Sequence, residues 1–330
     1  MKNDLLKLIA AAIMLCVGVT AAQALTTAGP HRPATVPADY VITPFGYFHP
    51  SCVGRVASGD ELLPDQGVIR HADGTTLPMH VCAYPHYRGD GTQVVGDERN
   101  VTDPEIGHSW IVDEAVTTSS AYGFLSGLWT VPPAPGSNDG QTLYYFNGLE
   151  QSKNDVSIIQ PVLGWNSDYA SEWGAASWNC CYGNGVWEAT PVPVNSGDTI
   201  LGYMFNNCSS GTKTCGSWDI ITWDLSTDGF SQLTGSSNLG QTFNWAFGGV
   251  LEVYNIAQCS DYPDNPYGWT GGLHDISFNQ IVLWNDKLQS ITPAWALSKD
   301  DKTGSPQCNY GGLTPKQIIL TYGSGTPGTE

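Results

Sequence analysis

The sequence predicts an all-β protein built as an antiparallel β-sandwich, and three observations predict it. Only 13% of the 330 residues are charged, while Gly numbers 38, Pro 21, Tyr 15 and Trp 12. Long helices draw on Ala, Leu, Glu and Lys, which this chain uses sparingly beyond its first residues. From His108 onward, short runs rich in Val, Ile, Thr, Tyr, Phe and Trp recur between Gly, Pro, Asn and Asp. That is the pattern of strands separated by turns.

Residues 1–24 are set apart. Lys2 precedes an apolar run from Leu5 to Val19, and Ala22-Gln23-Ala24 follows. A basic start, a short apolar core and an Ala-x-Ala site make a secretory signal peptide. The run is too short for a comfortable membrane span, and no later run approaches one. The mature chain is expected to begin near Leu25, outside the cytoplasm, either secreted or periplasmic.

Residues 25–50 carry Pro30, Pro33, Pro37, Pro44 and Pro50 with little apolar pattern. They read as an extended or poorly ordered leader. Residues 51–90 hold Cys52, Cys82 and two short apolar runs, which suggests a small β-module held by one disulfide. Residues 88–107 are polar and read as a linker. The division expected is therefore a signal over 1–24, a pro-region or accessory module with linker over 25–107, and a sandwich over 108–330.

Within 108–330 the most informative stretch is a hairpin. Tyr144 to Glu150 and Ser157 to Trp165 are two apolar, aromatic-rich runs joined by a polar loop. Glu150 and Gln160 are long polar side chains among residues that should be packed. Later runs around Trp178, Trp187, Trp218 and Trp223 alternate with small or polar residues, as a sheet with one wet face requires.

Cysteine usage agrees with export. Cys16 leaves with the signal and eight cysteines remain, an even number that reads as disulfides. The most local pairings are Cys208 with Cys215 and Cys52 with Cys82, and Cys259 with Cys308 is a further candidate. The adjacent Cys180 and Cys181 leave the connectivity open. The net charge of −18 argues against nucleic acid and anionic membranes as partners, since both attract basic surfaces. A monomer acting on a soluble partner is expected.

No nucleotide-binding loop, His-Glu-x-x-His or Gly-x-Ser-x-Gly is present. His108 and His274 each stand alone among loop-like residues. Carboxylates and amides remain for chemistry. Glu150 and Glu188 lie on strand-like runs, and Glu252 sits between Leu251 and Val253. A Glu inside such a strand loses hydration, which raises its pKa and suits it to general acid–base work. Alternatively Val250, Glu252 and Tyr254 share a solvent-facing side.

The ordered series Leu128-Trp129-Thr130-Val131-Pro132-Pro133, Phe146-Asn147-Gly148-Leu149-Glu150, Ile158-Ile159-Gln160, Ala176-Ser177-Trp178, Val194 to Gly202 and the Glu252 strand resembles glutamic peptidases of the eqolisin, scytalidoglutamic-peptidase-like type. It is more distantly similar to neprosin-like peptidases. The resemblance covers residues 108–330. It implies a jelly-roll or concanavalin-like β-sandwich and a secreted acid endopeptidase. Gln160 and Glu252 would be the catalytic pair, with Glu150, Trp165 and Trp178 as supporting residues, and no metal or other cofactor. Glu252 would take a proton from water and Gln160 would hydrogen-bond the oxyanion. Residues 25–107 would cover the cleft as a zymogen segment until acid releases them. Two other classes stay open: a sandwich that binds or hydrolyses carbohydrate through exposed Trp, Tyr and paired carboxylates, and a non-catalytic sandwich.

Overall fold

The computed structural model describes residues 32–63, 66–94, 109–152, 158–182, 185–268, 274–299, 308, 310–313 and 318–322. The signal segment and the boundary expected near residue 107 lie outside the described residues. Among the described residues there is no α-helix, and helical geometry is confined to single turns such as Pro50–Cys52 and Cys259–Asp261.

The first eight strands are short: β1 (Val41–Thr43), β2 (Gly46–Phe48), β3 (Val53–Val56), β4 (Glu61–Leu63), β5 (Val68–Arg70), β6 (Thr76–Pro78), β7 (His86–Tyr87) and β8 (Gln93–Val94). Longer strands follow: β9 (Trp110–Thr117), β10 (Tyr122–Thr130), β11 (Thr142–Glu150), β12 (Ile158–Trp165), β13 (Trp173–Tyr182) and β14 (Gly185–Ala189). Next come β15 (Val192–Val194), β16 (Thr199–Asn206), β17 (Trp218–Asp224), β18 (Gly229–Ser236), β19 (Trp245–Tyr254) and β20 (Asp275–Asn285). The last are β21 (Ser290–Ile291), β22 (Ala296–Lys299), β23 (Gly311–Leu313) and β24 (Ile318–Thr321).

These strands form two large sheets and a small one of order β1-β2-β7-β8. Of the large sheets, one runs β22-β9-β19-β11-β12-β13-β14-β3, with β15 on β13, and the other runs β23-β24-β20-β10-β16-β17-β18-β4-β5-β6, with β21 on β20. Within the long strands all pairing is antiparallel, as the sequence predicts. The hairpin read at Tyr144 to Trp165 is β11 paired with β12, Leu143 opposite Trp165 and Glu150 opposite Ile158.

Between the sheets lies the main core. Trp129, Leu143, Tyr145, Leu163, Trp165, Trp173, Ile200, Leu251 and Phe278 meet there, continuing into Leu149, Ile159, Met204, Trp218 and Ile220. Cys259 pairs with Cys308 beside this core, and Cys208 with Cys215 at its other end. Cys180 pairs with Cys181, which settles the connectivity that the spacing left open.

Three expectations change, two of them at the N-terminus. Residues 36–48 are not a loose leader: Val36, Tyr40, Phe45, Tyr47 and Phe48 are buried. They join the Cys52–Cys82 disulfide in a second core on the far face of the nine-stranded sheet, against Tyr144, Phe146, Val162, Trp178, Val250 and Tyr254. Gly46 makes this possible, since its φ of +111° turns β1 into β2 and a Cβ there would sit 2.2 Å from the Tyr87 carbonyl oxygen. Nor do residues 51–90 form a separate module. β3 adds to β14 and β4 adds to β18, both in parallel, so this segment extends the edges of both large sheets.

The third change concerns the wet face. β11 and β12 are buried at every position, because the nine-stranded sheet is covered on both sides. β16, β17 and most of β18 show the alternation of a half-covered sheet. Trp178, Trp187 and Trp218 are buried, and no Trp is among the exposed large side chains of the described residues. The exposed-tryptophan basis for carbohydrate binding is therefore lost.

The two sheets come close where β16 crosses beneath β12. A Cβ at Gly202 would meet Trp129 at 2.4 Å and Pro161 at 2.7 Å. Gly202→Val should lower stability by about 1–3 kcal/mol or more through overpacking, read as a lower denaturation midpoint. An unchanged midpoint would mean that the contact yields freely.

Candidate active site

The chemistry-bearing groups gather on the face of the nine-stranded sheet that the N-terminal strands cover. Strand alternation puts Glu252 there with Val250 and Tyr254, as the sharing of one side predicts. That side is the interior: Glu252 is 0% exposed. Its Oε1 accepts from the Tyr254 hydroxyl and, at 3.2 Å, from Ser109 Oγ. Burial pushes its pKa up to about 8, against the opposing pull of those hydroxyl donors. Burial in the covered protein thus favours the protonated form of this carboxyl.

Tyr144 stands next to it. Glu252 and Tyr144 are direct cross-strand partners between β19 and β11, and Tyr144 faces Gly164 on the other side. Gly164 leaves room for the tyrosine ring, whose carbons lie 3.1–3.3 Å from where a Cβ would stand. The Tyr144 hydroxyl reaches 3.4 Å from the carbonyl oxygen of Ile42 and 3.3 Å from Ser167 Oγ. Burial holds the Tyr144 pKa well above its ordinary value, so this hydroxyl is a donor under all ordinary conditions. Sequence reading missed it, because only the β11–β19 register places residue 144 against residue 252.

Gln160 lies on the same face, as expected, but not beside Glu252. It pairs with Trp178 on β13, and its Cγ is the neighbour of Gly148 on β11. Gly148 pairs in turn with Phe247 on β19. Glu252 is level with Gly164 instead, so two interstrand steps and about four residues separate the pair, roughly 16 Å between Cα atoms. The two do not meet in this state. Gln160 is 0% exposed, and among the described residues neither amide atom has a hydrogen-bond partner. An amide buried in that way costs about 1–3 kcal/mol per unmet group, so its retention asks for a reason.

The supporting residues divide. Trp178 shares the covered face and meets Phe45 edge-on at 6.1 Å. Glu150 is buried at the far end of β11, opposite Ile158 and Trp245 and six residues from Tyr144. Trp165 points the other way, into the core between the sheets, 5.3 Å from Trp173. It is a packing residue, because its parity on β12 is opposite to that of Gln160.

At the other edge of this face stand two more carboxyls. Glu188 follows Gln160 and Trp178 across the strands in register, and Arg55 of β3 continues the row. Asp168, from the β12–β13 loop, joins Glu188 around Arg55. Burial raises the pKa of both, while the Arg55 guanidinium between them pulls it back down.

Raised carboxyl pKa values set the sign of the pH dependence. Glu252 binds its proton more tightly folded, at about 8, than unfolded, near the ordinary 4.5. Folding is therefore unpenalised below the unfolded value, and stability falls as pH rises from there to about 8. Glu252→Gln should flatten that decline by up to about 1.4 kcal/mol per pH unit within the window, measured by denaturation at several pH values. Parallel curves for wild type and variant would show that Glu252 is ionised when folded.

No family model and no curated protein matches this sequence. Among solved structures, the chain is similar to scytalido-glutamic peptidase with a transition state analog inhibitor, at 14% identity and a TM-score of 0.45, covering 65% of this chain and 98% of that one. It is also similar to the same peptidase with a peptide-based transition state analog, at 13% identity and a TM-score of 0.44, covering 64% and 98%. A third is SCP-B, a member of the eqolisin family of peptidases, in complex with the tripeptide Ala-Ile-His, at 13% identity and a TM-score of 0.43, covering 64% and 98%.

Proposed function

We propose that this chain is the precursor of a secreted endopeptidase that hydrolyses peptide bonds at Glu252 and Tyr144, with residues 25–107 as a covering segment that must leave first. One observation carries the reading. The carbonyl of Ile42 sits 3.4 Å from the Tyr144 hydroxyl, and the cross-strand partner of Tyr144 is the buried carboxyl of Glu252. A peptide carbonyl thus already accepts from a neutral hydroxyl donor whose cross-strand partner carries a potential general base.

The chemistry follows from those groups. With the covering segment gone, Glu252 regains water and its pKa falls toward the ordinary range. Its carboxylate takes a proton from a water molecule as that water attacks the substrate carbonyl carbon. Tyr144 donates to the oxyanion that forms. When the C–N bond breaks, Glu252 returns the proton to the leaving amine. The cover therefore stops catalysis twice, by occupying the face and by keeping the base protonated.

Gln160 takes a different role from the oxyanion donor that the sequence suggests. At roughly 16 Å from Glu252 it binds the backbone of an extended substrate several residues from the scissile bond. Its unpaired amide, which carries both a donor and an acceptor, suits a peptide group.

The test is cleavage of a denatured protein at mildly acidic pH after removal of the covering segment. Glu252→Gln should lower kcat by about 10²–10⁴-fold, and Tyr144→Phe by about 10²–10³-fold. Gln160→Ala should act mainly on KM. Full activity in Glu252→Gln would overturn the reading.

A further inference from the structure

The edge of the nine-stranded sheet carries a second recognition element. β3 lies along β14 in parallel register, Val53 with Val186, Gly54 with Trp187, Arg55 with Glu188 and Val56 with Ala189. Two independent features select what can lie there. A Cβ at Gly54 would stand 2.2 Å from two ring carbons of Trp187, so the edge admits only glycine at that step. At the next step, Arg55 Nε is 3.0 Å from Glu188 Oε1, and Nη2 is 2.5 Å from the same oxygen and 3.0 Å from Asp168 Oδ1.

The acceptors are built in and the donor is not. The Glu188 and Asp168 side chains are 3% and 7% exposed, whereas the Arg55 side chain is 55% exposed. The carboxyls are fixed by the sandwich strand β14 and the β12–β13 loop. Arg55 approaches them from the solvent side on an added edge strand. One guanidinium spanning two carboxyls satisfies more of them than an ammonium could. Adding an extended strand to a sheet edge, with pockets for particular side chains, is a general mode of peptide recognition.

We propose that the β14 edge, with Trp187, Glu188 and Asp168, is a binding site for an extended polypeptide carrying glycine followed by arginine, filled here in cis by Val53–Val56. Once residues 25–107 leave, this edge seats a Gly-Arg segment of the substrate. That last step rests on the peptidase reading, but the binding site does not.

The experiment uses the full chain with Arg55→Ala and Arg55→Gln, probed with N-acetyl-arginine-N-methylamide. The neutral citrulline analogue, of nearly the same shape, is the control. The arginine probe should raise the melting temperature of both variants in a saturable way, leave wild type unmoved, and lose at least about tenfold in affinity when Glu188→Gln is added. Should either variant fail to fold, the same two probes are compared for recovery of soluble protein on refolding, where only the arginine probe should help. Equal effects of both probes, or no effect of the arginine probe, would overturn the site. Because the readout is binding, an inactive protein that responds keeps the site and loses the peptidase. An active enzyme that cleaves Gly-Arg and Gly-citrulline peptides equally well loses the substrate assignment.

Discussion

The carboxyl of Glu252 buried under the N-terminal strands is the constraint on which the rest depends. Without hydration its ionised form is costly, and the Tyr254 and Ser109 hydroxyls compensate only in part. The covering layer must therefore be held tightly enough to keep that face dry. Tyr40, Phe45, Tyr47 and Phe48 do this with apolar area, and the Cys52–Cys82 disulfide ties the layer together. Tyr47 packs edge-on against Tyr254 at 5.3 Å, directly over the group that holds Glu252.

The same segment is attached at both sheet edges. β3 and β4 extend the nine- and eleven-stranded sheets in turn, so the cover ends in strand pairings and does not merely rest on a surface. Edge pairing also removes the unpaired backbone groups that invite aggregation. The consequence is a covering layer in which backbone hydrogen bonds, an apolar seal and the Arg55 contacts act on different parts of one face. No single one of these attachments decides how the layer is held.

Much of the sandwich was legible in the residues. The hairpin β11–β12 announced itself through two aromatic runs around a polar loop, and the helix-poor composition excluded other classes. Three disulfides followed from local spacing. Glu252 could be singled out because a carboxylate between Leu251 and Val253 has few innocuous places to go. The leader was misread because Phe45, Tyr47 and Phe48 are scattered among prolines, with no periodicity to mark them as a core. Gln160 and Glu252 were paired as partners, yet strand register offsets them by about four residues. Register depends on bulges such as the one between Phe146 and Gly148, and these leave no reliable trace in the sequence.

By itself, the sequence determined the strand-rich character of residues 108–330, the alternation of side chains along each run and the identity of the carboxylates, because strand alternation is a local property of the backbone. Only the tertiary structure decided which of those groups meet. Tyr144 beside Glu252, the Ile42 carbonyl over Tyr144, and Arg55 between Glu188 and Asp168 each join residues from 102 to 133 positions apart. Such meetings are set by sheet order and register, which result from packing the whole chain and not from any stretch of it.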